Sequence, residues 1–215
     1  MPAEVKICGL STPETVDAAV AAGADFIGLV FFPQSPRNVS LEQAAALAER
    51  ARGKARIVAL VVDAEDALLT AIAKTVRPDF IQAHGGESPA RVTEIEHLTG
   101  CPVIKAIRVR DAGDIAAAAQ FSTAASLILY DAKAPETLGN ALPGGNGHAF
   151  DWGLLEGESR PAFMLAGGLS PENVAEAIRV TGAPMVDVSS GVESAPGVKD
   201  LGLIRKFIEA AKRAS

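Results

Sequence analysis

Several things are scarce in this 215-residue chain, and each scarcity removes a class of protein. Only Cys8 and Cys101 carry thiols, so a disulfide scaffold is excluded and a reducing compartment suits the chain. The three histidines, His84, His97 and His148, are far apart in sequence and form no Cys/His cluster, so no metal ligand set is expected. No apolar run approaches the ~18 residues that a membrane helix needs. The opening MPAEVKICGL runs straight into a strand with Lys6 inside it, without the regions of a signal peptide, and a cytoplasmic location is the expectation. A formal charge of −6 argues against general affinity for nucleic acid. The dinucleotide fingerprint G-x-G-x-x-G follows none of the strands.

What is present is a repeat of short apolar runs and alanine-rich amphipathic ones. They alternate at intervals of about 20 to 30 residues, as in the βα units of a parallel sheet. Eight strands are expected, beginning at Val5, Phe26, Arg56, Phe80, Val103, Leu127, Phe163 and Met185. Helices are expected over Pro13 to Ala22, Leu41 to Arg52, Ala64 to Thr75, Pro89 to Leu98, Asp111 to Ala119, Pro171 to Arg179 and Lys199 to Arg213. The crossover from Ala132 to Pro161 is irregular and rich in glycine. No linker or low-complexity run divides the chain. The expectation is therefore one (β/α)8 TIM barrel domain over residues 1–215, with an open doubly wound sheet as the alternative.

Two turns near the end of the chain point to an anion. Phe163 to Ala166 is a strand broken by Gly167 and Gly168, and Ser170 and Pro171 open the next helix; Met185 to Val188 is a strand closed by Ser189, Ser190 and Gly191. Backbone N–H groups at two neighbouring strand ends make a phosphate site, often found after strands 7 and 8 of a barrel. Side-chain alternation then selects the inward groups. If Val5, Ile7, Ile81, Ala83, Ile128, Tyr130, Val186 and Val188 pack outward on helices, then Lys6, Cys8, Gln82, His84, Asp131, Asp187 and Ser189 face the barrel axis.

Those residues also carry a resemblance. Lys6-Ile7-Cys8-Gly9, Phe31-Phe32-Pro33-Gln34-Ser35-Pro36-Arg37, Gln82-Ala83-His84-Gly85, Ile104-Lys105-Ala106-Ile107-Arg108, Asp131-Ala132-Lys133, Ala166-Gly167-Gly168-Leu169 and Asp187-Val188-Ser189-Ser190-Gly191-Val192-Glu193 follow in order. Over nearly its whole length the chain resembles the phosphoribosylanthranilate isomerases of tryptophan biosynthesis, barrels of the ribulose-phosphate-binding type. The resemblance implies an Amadori rearrangement of N-(5-phosphoribosyl)anthranilate that needs no cofactor or metal. It implies Asp131 as the acid that opens the furanose ring and Cys8 as the base that takes the C2 proton.

Chemistry adds requirements to those roles. Asp131 must hold a proton above the ~3.9 of free aspartate, and Cys8 must reach the thiolate from a free value near ~8.5, with Lys6 beside it to help. Arg37 is expected to clamp the anthranilate carboxylate. Lys6, His84 and Asp187 are expected to line the substrate, His84 being also the rival base. Gly145, Gly147, Ala166, Gly167, Gly168, Ser189, Ser190 and Gly191 are expected around the phosphate. In the glycine-rich loop His148 and Ala149 depart from the family's lysine and threonine. Cys101 is expected to be inert. The expected partner is a phosphorylated small molecule, with neither nucleic acid nor membrane, and the assembly a monomer or homodimer. A histidine-pathway or dual-substrate isomerase and a non-catalytic phosphosugar-binding barrel remain the alternatives.

Overall fold

The computed structural model describes residues 2–132, 150–155 and 162–214. Eight parallel strands close on themselves in sequence order. They are β1 (Glu4–Cys8), β2 (Phe26–Phe31), β3 (Arg56–Val61), β4 (Phe80–Ala83), β5 (Val103–Val109), β6 (Leu127–Ala132), β7 (Phe163–Leu165) and β8 (Met185–Val188). The barrel closes where β1 pairs with β8, with Lys6 in register with Asp187. The strands are legible because each is buried on both faces and so reads as an apolar run bounded by polar or glycine residues.

Among the described residues seven α-helices cover the outside: α1 (Pro13–Ala21), α2 (Leu41–Ala51), α3 (Asp66–Thr75), α4 (Pro89–Thr99), α5 (Ala112–Ala117), α6 (Val174–Thr181) and α7 (Leu201–Arg213). Their starts are set by side chains that satisfy free N–H groups: Thr12, Ser40, Ser88, Asp111 and Asp200 each accept from the first turn. Four helix starts differ from expectation, the first being α3, which begins at Asp66 rather than Ala64. Asp111 is the cap of α5 rather than its first residue, and a 3-10 turn over Ala118–Phe121 replaces the helix end. The Ser170–Asn173 segment is a closed turn in which the Asn173 side chain accepts the Ser170 N–H and Ser170 Oγ accepts the Glu172 N–H, so α6 begins only at Val174. Lys199 belongs to a short hairpin, β9 (Glu193–Ala195) with β10 (Val198–Lys199), and α7 starts after the Asp200 cap.

Beside a small cluster of Cys8, Val30 and Leu60, the core has two main compartments. The larger lies between sheet and helices and holds Val5, Ile7, Ile81, Ala83, Tyr130, Val186 and Val188, with Ile128 packed against it. The smaller fills the lower barrel with Phe26, Val58, Ile104, Ala106, Leu129 and Met164. This division fixes the strand phase as alternation predicts, and it leaves the polar inner residues at the upper, C-terminal mouth.

Candidate active site

At that mouth four strands deliver ionisable groups to one buried cluster. Lys6 is fully buried, and its Nζ donates to Asp187 Oδ2 at 2.9 Å, joining β1 to β8. Burial alone would lower the Lys6 pKa, but the Asp187 and Cys8 charges raise it above its ordinary value. The second Asp187 oxygen, Oδ1, is buried without a partner among the described residues. Burial pushes the Asp187 pKa up against the pull of Lys6, and the Asp131 charge pushes the same way.

On the facing wall His84 Nε2 lies 3.1 Å from Asp131 Oδ2, and Gln82 Nε2 lies 2.9 Å from His84 Nδ1. With the amide nitrogen toward Nδ1, that ring atom accepts and Nε2 carries the hydrogen donated to Asp131. Gln82 is completely buried and its Oε1 has no partner among the described residues.

Cys8 is buried beside Val30 and Leu60. Its neighbour Gly28 on β2 makes the room, since a Cβ there would stand 3.0 Å from Cys8 Sγ. The thiol departs from expectation: burial raises its pKa, Lys6 pulls it down only in part, and Asp187 adds to the rise. Lys6 is spoken for by Asp187, so its charge is largely compensated before it reaches the sulfur. Cys101, at the opposite end of the barrel, donates weakly to the Pro78 carbonyl at 3.4 Å and also has a raised pKa, chiefly from burial.

Arg37 is brought to the mouth by the loop after β2, and it is already engaged. Its Nε and Nη2 donate to the two oxygens of Glu193 at 2.7 and 2.8 Å. Lys199 Nζ donates to the same carboxylate at 2.7 Å and to the Ser189 carbonyl at 2.8 Å. In the sequence Glu193 stands out only as part of a motif, and Lys199 falls in an expected helix rather than at the mouth.

The two glycine turns stand side by side. Gly167 and Gly168 adopt φ of 85° and 63°. A Cβ on Gly167 would lie 2.3 Å from the Ala132 nitrogen, and one on Gly191 would lie 1.9 Å from the Leu169 oxygen. Both turns are thus pressed against neighbouring backbone, and side chains are excluded there. Among the described residues, turn hydrogen bonds engage the N–H groups of Ala166 and Val192 and leave those of Gly167, Gly168, Ser190 and Gly191 unpaired. Gly145, Gly147, His148 and Lys133 lie outside the described residues. No group of three or more metal-ligating side chains occurs among the described residues, and no helix there is long and apolar enough to cross a membrane.

Fold and mouth together define a (β/α)8 barrel with an acid–thiol set at its C-terminal end. Residues 5–210 match the family model described as N-(5'phosphoribosyl)anthranilate (PRA) isomerase. The chain is 57% identical over 213 residues to the N-(5'-phosphoribosyl)anthranilate isomerase of Rhodopseudomonas palustris, covering 99% of this chain and 97% of that one. It is 53% identical over 216 residues to the enzyme of the same name from Parvibaculum lavamentivorans, covering both completely. The crystal structure of phosphoribosyl anthranilate isomerase from Thermotoga maritima superposes with a TM-score of 0.86 at 35% identity, over 98% of this chain and 99% of that one. The chain belongs to the phosphoribosylanthranilate isomerase family.

Proposed function

We propose that this protein isomerises N-(5'-phosphoribosyl)anthranilate to 1-(2-carboxyphenylamino)-1-deoxyribulose 5-phosphate, with Asp131 as acid and Cys8 as base. A proton from Asp131 to the furanose oxygen opens the ring as the anthranilate nitrogen lone pair forms the C1=N bond. The Cys8 thiolate then removes the C2 proton, giving an enolamine that tautomerises to the amino ketose. Atoms are conserved, and the chemistry asks only for an acid, a base and anchors for the anions.

The observation that carries the reading is the convergence of Cys8, Lys6, Asp187, Asp131 and His84 from β1, β8, β6 and the end of β4 on one buried mouth. Asp131, buried at that mouth, is the carboxyl placed to give the proton. His84 donates to Oδ2, so a proton on this acid belongs on Oδ1. The turns at Ala166–Gly168 and Ser189–Gly191 supply uncovered N–H groups for the phosphate. Arg37, whose Nη1 is outside the Glu193 pair, is the anchor for the ring carboxylate. A neighbour at 33% identity and a TM-score of 0.83 holds reduced 1-(o-carboxyphenylamino)-1-deoxyribulose 5-phosphate, the ligand chemistry that this mouth would take.

The same reading takes residues 1–215 as one domain, located in the cytoplasm, acting on a small phosphorylated molecule as a monomer or homodimer without nucleic acid. Two free cysteines support the reducing compartment. The deciding experiment generates N-(5'-phosphoribosyl)anthranilate in situ and follows loss of its fluorescence. Wild type should consume it, and Cys8→Ser and Asp131→Asn should each lose about 10²–10⁴ in rate while still binding a product analogue. No turnover by folded wild type would reject the assignment.

A further inference from the structure

Arginine at a binding mouth is useful only if its fork is aimed, because a free guanidinium explores many rotamers that binding must freeze. Arg37 is aimed by a built device. Glu193 grips its Nε and Nη2 edge with both oxygens. Glu193 is itself fixed by Lys199 and by the Gly197 N–H at 3.1 Å.

Two glycines let the parts approach. A Cβ on Gly9, the residue after Cys8, would stand 2.5 Å from Arg37 Cδ, so the arginine stem lies across the backbone next to the thiol. A Cβ on Gly197 would stand 2.7 Å from the Pro36 oxygen, so the hairpin meets the loop that carries Arg37. Arg37 and Lys199 are both buried with the single carboxylate of Glu193 between them, which leaves one positive charge in excess. A buried surplus cation calls for an anion from outside the cluster.

We propose that Glu193 is the positioning residue for Arg37. By holding one edge of the guanidinium and leaving the net charge positive, it makes the mouth selective for a substrate ring that bears a carboxylate. This rests on the reading of Arg37 as the carboxylate anchor. The hairpin β9–β10, seated between the last strand and α7, then serves as the mount for a group that β2 delivers.

The test measures affinity by calorimetry for two probes: reduced 1-(o-carboxyphenylamino)-1-deoxyribulose 5-phosphate, and the same molecule without its ring carboxylate. Wild type should prefer the first. Arg37→Met should abolish the preference. Glu193→Gln, nearly isosteric, should cut it roughly tenfold through weaker binding of the carboxylated probe alone, and should add nothing to Arg37→Met. Glu193→Asp, which keeps the charge but withdraws it by one methylene, should fall between, and serves if the amide variant folds poorly. Equal weakening of both probes by Glu193→Gln would make Glu193 a brace for the hairpin and overturn the inference. Tighter binding of the carboxylated probe would overturn it too, as a sign that Glu193 competes for Arg37. If Arg37→Met keeps the wild-type preference, the anchor reading fails and takes this inference with it; if only Glu193→Gln keeps it, the anchor stands and the inference alone falls.

Discussion

His84 Nε2 stands 3.1 Å from Asp131 Oδ2 while Gln82 holds the other ring nitrogen at 2.9 Å, so a fully buried amide decides which face of the acid is free to react. The arrangement costs an unpaired Gln82 oxygen in the barrel interior, a burden usually worth ~1–3 kcal/mol. Gln82→Leu removes that burden but leaves the buried His84 Nδ1 without its donor, so the two costs offset and its melting temperature should stay close to that of wild type. Its kcat should nevertheless fall several-fold, since nothing then fixes the His84 tautomer. Calorimetric melting beside steady-state kinetics checks both halves; an unchanged kcat would strip Gln82 of its role.

The raised Cys8 pKa has a sign that can be measured. Only thiolate accepts the C2 proton, and burial keeps the free enzyme's sulfur protonated beyond its ordinary range. The value of kcat/KM should therefore rise with pH through the neutral and mildly alkaline range, in step with the rate of Cys8 alkylation. Gly28→Ala, which would crowd the sulfur, should depress both together. A flat profile with pH-dependent alkylation would separate the thiol from the rate-limiting proton transfer.

The phosphate turns predict a different phenotype. Gly191→Ala would put a methyl 1.9 Å from the Leu169 oxygen, so the turn must shift to accept it. Inorganic phosphate as a competitive inhibitor should bind at least about tenfold more weakly, because strain of ~1–3 kcal/mol is enough to displace the N–H groups. Circular dichroism should still report an intact barrel. Undiminished inhibition would place the phosphate elsewhere.

A second buried pair at the mouth sets acid stability. Lys105 Nζ donates to Glu87 Oε2 at 2.8 Å and to the Gly85 carbonyl at 2.9 Å, and Glu87 accepts the N–H groups of Asp63 and Gly85. Burial pushes the Glu87 pKa up, but Lys105 and these donors outweigh it and bring it below the usual value. A depressed folded pKa contributes stability above the unfolded value of ~4.3 and loses it as pH falls through the folded one. Glu87→Ala, by stranding the ammonium, should cost ~3–5 kcal/mol at neutral pH. In urea titrations the gap to wild type should narrow below pH ~4; a gap independent of pH would assign the loss to packing.

The barrel was readable because strands buried on both sides make polar residues conspicuous. Lys6 within EVKIC, Asp131 within LILYDA and Asp187 within MVDV each interrupt an apolar run, and seven of the eight strands begin where the pattern places them. The grip on Arg37 was not readable. Glu193 is 156 residues away from it, and Lys199 sits so near the amphipathic period of α7 that a two-residue strand passes for a helix start. The start of α6 was misplaced for a local reason: Ser170, Pro171 and Glu172 suit a helical first turn, but the Asn173 side chain closes a competing turn first. The thiol's raised pKa depends on how fully Asp187 consumes the Lys6 charge, a distance that no strand pattern reports.

The pairing of Lys6 with Asp187 spans 181 positions of sequence. It is the bolt across the seam where the first strand meets the eighth. During synthesis β1 emerges early and must wait, its lysine with no carboxylate, until the eighth strand arrives. The late closure of so distant a contact is entropically slow. Competence is therefore all or nothing along the nascent chain: seven-eighths of the barrel carries the acid, the histidine and the thiol, yet the ammonium that serves them has no fixed place until the ring is shut.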